Sequence, residues 1–225
     1  MFKVDTSVSN DLEESITLHY DVEWPLNIII NEDSLRNYNK LFRLLLKLKR
    51  VSYALQSVWN SLKLTNFKKE FKNIGVKLQL FRHEMQHLLN ILQMYIIQQL
   101  NELSWKEFTI QLEKVTTLDH LINVHELYLT KCLTRCLLTD KNSGQYHIIN
   151  SILEIILKYS YSTTQMPIDD SIDRWLKHIL IIKQTFSKYT GFLHMALKGL
   201  AASPAQSHIQ DLFNSWNFNQ YYMEK

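Results

Sequence analysis

LFRLLLKLKRVSYALQSVWNSL, residues 41–62, is the stretch on which the fold turns. Within it Leu41, Leu44, Leu48, Val51, Leu55, Val58 and Leu62 step by alternating three and four residues. That spacing keeps apolar side chains on one face of an α-helix. Tyr38, Phe42, Leu45 and Trp59 widen the stripe beyond a two-stranded seam, so the helix expected over residues 35–62 belongs in a bundle.

The same period continues outward. A second helix is expected over residues 76–103, with Leu78, Phe81, Met85, Leu88, Leu92 and Tyr95 in register, after the basic linker TNFKKEFKN. Ser104 is then the expected N-cap of a short helix through Trp105, Phe108 and Leu112, with Glu107 as its capping-box partner. Further helices are expected over about 118–138, 146–161 and 168–200, the first ending at DKNSG, and a last short one after Pro204. With 4 Gly and 3 Pro in 225 residues, turns are few and the segments between them long. The expected fold is therefore all-α, a multi-helix bundle of long helices.

One short extended segment precedes it. Ile16, Leu18, Tyr20, Val22 and Trp24 alternate at period two, Pro25 interrupts, and residues 26–30 resume as an extended run. Asp33 or Ser34 is placed to cap the long helix. Residues 1–14 are polar and acidic and are expected to form a mobile tail, leaving 15–225 as one helical domain.

Composition narrows the function classes. Twenty-five basic against 22 acidic residues leave a formal charge of +3, too even to argue for nucleic acid. The N-terminus lacks the apolar core of a signal peptide, and no apolar run approaches membrane-spanning length, so a cytoplasmic or nuclear protein with no membrane insertion is expected. Cys132 and Cys136, four apart among apolar residues, suit reduced core thiols. The glycines make no phosphate-binding loop, and no Ser-His-Asp or Cys-His signature is legible, so no catalytic residue and no cofactor is expected.

Residues 83–87, HEMQH, match the zinc-protease pattern H-E-x-x-H, in which two histidines bind the metal and the glutamate activates water. Neither the glycine nor the third histidine of the longer zinc motif follows, and Glu102 or Glu107 would be distant third ligands with nothing to mark them. By helical rotation His83 and His87 lie roughly 150° from the centre of the apolar stripe. A second packing surface or a partner surface suits that mixed face better than a metal cleft, and no metal is expected.

The run KLFRLLLKLKR sets Lys40, Arg43, Lys47, Lys49 and Arg50 on an apolar helix, a pattern of solvated core helices and of helices that dock acidic surfaces.

LHYDVEWPLNIIINEDSLRNYNKLFRLLLKLKRVSYAL resembles the most recognisable block of the gamma-tubulin complex components, an extended WPL segment followed by a helix with a tyrosine, a phenylalanine, leucines and a basic pair. HEMQHLLNILQMYIIQQLNELSWKEF resembles the family's next block at Met85, His87, Gln93, Tyr95 and Trp105, so HEMQH looks like a family helix that spells a protease motif by accident. The terminal NFNQYY extends the likeness to residue 222, and LTRCLLTDK is most similar to the component 6 branch, with component 5 next.

The resemblance implies a non-enzymatic C-terminal domain that holds gamma-tubulin beside other gamma-tubulin complex components. It implies a part in microtubule nucleation at cytoplasmic microtubule-organising centres, the centrosome or spindle pole of the cytoskeleton. The family's N-terminal half has no counterpart here. On this basis Arg43, Lys47 and Arg50 are expected to face an acidic tubulin surface, with His83, His87 and Asn90 as a second polar strip. Trp24, Pro25, Tyr38 and Phe42 are expected to shape the domain. The competing functions are a zinc metallopeptidase at HEMQH and a general helical adaptor with a basic docking face.

Overall fold

A computed structural model describes residues 2–4, 16–64, 72–139, 143–167, 171–201 and 207–216. Most of the expected tail and linker, the run 140–142, Pro204 and the NFNQYY ending lie outside the described residues. In chain order the elements are β1 (Phe2–Val4), β2 (Ile16–Leu18), α1 (Glu32–Leu64), α2 (Lys72–Ile97), α3 (Trp105–Leu112), α4 (Leu118–Arg135), α5 (Ser143–Thr164), α6 (Ile172–Ala201) and α7 (Ser207–Trp216). The all-α expectation holds, with one antiparallel strand pair at the N-terminus.

Contacts divide the chain into two compact units, Met1–Lys47 with Met94–Ser143, and Leu48–Gln93 with Gly144–Lys225. Helix α1 gives its first half to one and its second half to the other.

The first unit opens with β1 and β2 paired in register Phe2↔Leu18 and Val4↔Ile16, so part of the expected tail is a strand. The Asn39 carboxamide serves Leu18 as a further neighbour: Leu18 N–H donates to Asn39 Oδ1 at 2.6 Å, and Asn39 Nδ2 donates to the Leu18 carbonyl at 3.1 Å. Residues 26–30 are not extended. Pro25 begins a turn and Leu26–Ile28 is 3₁₀-helical, with Ile28 N–H on the Pro25 carbonyl at 3.2 Å and Ile29 N–H on Leu26 at 3.0 Å. The helix cap is also two residues earlier than Asp33, the nearer of the expected caps. Asn31 Oδ1 accepts from Ser34 N–H at 2.8 Å, and Glu32 and Asp33 occupy the first turn, where the helix dipole favours acids.

Helix α2 does not stop before α3. A π-helical segment, Gln98–Ser104, joins them, with Trp105 N–H reaching the Leu100 carbonyl. Ser104 therefore keeps helical backbone angles, φ −68° and ψ −42°, and makes no cap. At the end of α4, Leu137 takes φ 62°, with Leu138 N–H on the Leu133 carbonyl at 2.8 Å and Leu137 N–H on Thr134 at 3.1 Å. This is a Schellman closure, usually made by glycine. Burial of the Leu137 side chain offsets the cost of the left-handed backbone.

The second unit is a dry helical core. Leu48, Val51, Leu55, Val58 and Leu62 of α1 are buried with Leu78, Phe81, Met85, Leu88 and Leu92 of α2, as the periodicity predicts. Phe81 makes edge contacts with Tyr159 of α5 at 5.0 Å and Phe186 of α6 at 5.6 Å between ring centroids. Two of the polar groups inside are matched across helices: Tyr159 Oη donates to the Leu78 carbonyl at 2.8 Å and Ser160 Oγ to Ala54 at 2.9 Å. Burial pushes the Tyr159 hydroxyl up to about 12, so it stays a donor. Each large side chain buried here contributes about 1.5–3 kcal/mol.

Candidate docking surfaces

In the second unit, His83, His87 and Asn90 are all exposed on one side of α2, opposite the buried Phe81, Met85, Leu88 and Leu92. One turn separates each from the next, and Gln86 Nε2 donates to Asn90 Oδ1 at 2.8 Å, holding the amide in place. Leu80 adds apolar surface at 65% exposure. Glu84 is half-buried on the flank. Among the described residues no three His, Cys, Asp or Glu side chains come together as metal ligands do.

The basic run on α1 is not a uniform face. Arg50 is exposed, as are Lys40 and Lys49. Arg43 is half-buried, with its Nε buried and given no hydrogen-bond partner among the described residues. Lys47 is only 7% exposed, within the helix side that carries Leu44 and Leu48. Of the residues expected to shape the domain, Tyr38 and Phe42 are half-buried, while Pro25 is exposed and Trp24 is 78% exposed and adds nothing to the core.

The first unit holds a polar cluster that periodicity did not reveal. Lys131 Nζ lies 2.8 Å from Glu107 Oε2, Arg135 reaches Glu107 Oε1 at 2.6 Å, and the other Arg135 terminal nitrogen donates to Ser104 Oγ at 2.8 Å. The two residues expected to cap α3 thus tie it to α4. Hydrogen bonding from Lys131 first, then from Arg135, holds the Glu107 carboxyl below its ordinary range. Phe108 and Tyr128, with ring centroids 4.7 Å apart, wall a small cleft of about 210 Å³ beside this clasp.

His125 is buried next to it, its Nε2 at 3.0 Å from Tyr38 Oη, and burial lowers its pKa. Cys132 and Cys136 are buried thiols, and burial pushes both up. Protonated thiols are poor ligands and poor nucleophiles.

A family model described as Gamma tubulin complex component C-terminal matches residues 3–222. Gamma-tubulin complex component 6 of Homo sapiens is 34% identical over 222 residues, covering 95% of this chain and 12% of that protein. Its Mus musculus counterpart gives 34% over 226 residues, with the same 95% and 12%. Spindle pole body component alp6 of Schizosaccharomyces pombe is 29% identical over 234 residues, 92% of this chain and 28% of that one. The chain therefore spans a small fraction of the length of these relatives. With the family model running through almost every residue, from the strand pair to beyond α7, the chain belongs to the gamma-tubulin complex component family and corresponds to its C-terminal region.

Proposed function

We propose that this chain is a gamma-tubulin-binding helical module of the gamma-tubulin ring complex. It works beside other gamma-tubulin complex components in microtubule nucleation at microtubule-organising centres, the centrosome or spindle pole, and performs no catalysis. The observation that supports this most is the match over residues 3–222 to a domain found in proteins named for that complex. The physical mechanism is rigid presentation. Side chains on long packed helices lose little conformational freedom when a partner docks, so less of the contact energy is spent on ordering.

The proposed contacts fall in each unit separately. In the second, Arg50 supplies an exposed charge and His83, His87 and Asn90 a polar strip. In the first, Arg43 and Lys47 add positive potential from less accessible positions.

Co-purification of the chain with gamma-tubulin tests the proposal. Arg50→Glu combined with His83→Ala and His87→Ala is expected to weaken the complex at least about tenfold, or about 1.4 kcal/mol, with helicity unchanged by circular dichroism. Arg43→Glu adds a smaller loss. Failure to capture gamma-tubulin would overturn the assignment, whereas capture insensitive to these substitutions removes the residue choice alone. Stoichiometric zinc in the purified chain, with peptide cleavage that stops on chelation, would reverse the non-enzymatic assignment.

A further inference from the structure

We infer that the cleft between the end of α1 and the start of α2 is a second docking site, which takes a carboxylate-bearing apolar segment of a partner protein. The cleft encloses about 430 Å³. Its walls are Trp59 and Leu62 on one helix and Val76, Gln79 and Leu80 on the other. Trp59 is 39% exposed, Val76 54% and Leu80 65%, so the wall is apolar and open to solvent.

Arg82 gives the cleft its chemistry. Its guanidinium lies 5.0 Å from the centre of the Trp59 ring, and its Nε donates to Gln79 Oε1 at 3.2 Å. The cation–π contact and this hydrogen bond together restrain the group. Its terminal nitrogens remain as a fork, and no carboxylate pairs with them among the described residues. Among the described residues, none of the lining side chains is acidic.

A preset guanidinium fork is complementary to a carboxylate, which it binds through two parallel hydrogen bonds. Beside it, the apolar wall from Val76 to Leu80 spans one helical turn. A partner that places Asp or Glu on the fork and one apolar side chain a turn away, between Trp59, Leu62 and Val76, satisfies both features. An amphipathic helix or arm has that spacing. A small carboxylic acid would use the fork and leave the apolar wall wet, so the protein segment is the occupant the cleft favours. The cleft shares His83 with the strip proposed for gamma-tubulin, yet the inference does not depend on that strip.

The test uses the whole chain and two labelled peptides of about 18 residues, with leucines at i, i+3, i+4 and i+7 and either Glu or Lys flanking them. Fluorescence anisotropy is expected to show the Glu peptide binding at least about tenfold more tightly than the Lys peptide. Arg82→Gln removes at least that factor, and Arg82→Lys, which keeps the charge and loses the fork, falls between. Trp59→Ala also weakens binding, with helicity as the folding control. In the unsubstituted chain, the Trp59 indole N–H resonance moves on adding the Glu peptide, a readout that needs no variant. Equal affinity for the two peptides, no binding, or a static Trp59 resonance would overturn the inference. No gamma-tubulin enters the titration. A chain that binds the peptide and not gamma-tubulin sinks only the earlier proposal, and the converse sinks only this one.

Discussion

The two units differ in the size and charge of the polar residues they bury. In the second, the buried polar residues are Ser160, Thr163 and Thr190, short hydroxyls that donate to Ala54, Tyr159 and Ser187 carbonyls at 2.9, 2.8 and 3.0 Å. Two of those three acceptors lie on the donor's own helix. The first unit adds Lys47, Gln99 and His125 to the buried hydroxyls of Ser34 and Ser104, and clasps Glu107 between two cations. Long or ionisable groups of this kind need partners from elsewhere in the chain, and among the described residues Gln99 finds none for either amide atom. A dry core holds through shape, whereas a wet one holds through pairing and is the more sensitive to charge.

Substitutions can break this contrast. Phe81→Ala should have the largest effect, about 3–5 kcal/mol lost in denaturant unfolding, because three rings meet there and the cavity cannot collapse onto flexible neighbours. A loss below about 1 kcal/mol would mean the second core is not tightly packed. Glu107→Ala comes next, about 1–2 kcal/mol, tempered because its side chain is 40% exposed and water screens the pairs. Tyr159→Phe should cost about 1–1.5 kcal/mol, since the Leu78 carbonyl loses its buried donor while the packing survives. Gln99→Met runs the other way, gaining about 1 kcal/mol by removing an unpaired amide from a buried position.

Acidity sharpens the comparison further through two groups of the first unit. The Glu107 carboxyl is held below its ordinary 4.5, so its contribution is complete above that value and is lost as pH falls through the lowered one. Glu107→Gln should flatten that acid limb. His125 is kept neutral by burial, below its ordinary 6.5, so protonation favours the unfolded chain. Stability from this source is full above that pH and declines as pH falls beneath it. Urea midpoints measured from pH 8 to 4 should therefore move in wild type and move less in His125→Phe.

Legibility in the sequence follows the same division. The stripe from Leu48 to Leu62 and the one from Leu78 to Leu92 were readable because burial in a dry helical core requires only spacing, and spacing is written in the chain. Ser104 and Glu107 were readable as a capping box, yet their partners are Arg135 and Lys131, 31 and 24 residues away, and no local pattern announces a pairing at that range. Asn31 displaced the expected caps because any of the neighbouring polar side chains suits the role and the backbone turn decides which one takes it. The polar strip on α2 was visible from helical rotation, while burial of Lys47 was not, since its heptad position alone does not reveal which side of a wide stripe faces inward. The Arg82–Trp59 cation–π contact brings together residues 23 apart on two helices and left no trace in either one.

The π-helical segment has a consequence for chain length. A hydrogen-bond step from Trp105 back to Leu100 accommodates one more residue than an α-turn, so the segment behaves as an absorbed insertion. Removing a single residue there, such as the exposed Asn101, would return the segment to ordinary α-turns and leave α3 facing as it does. Glu107 would then still meet both cations on α4, so this junction tolerates the loss of one codon that an unbroken α-helix could not.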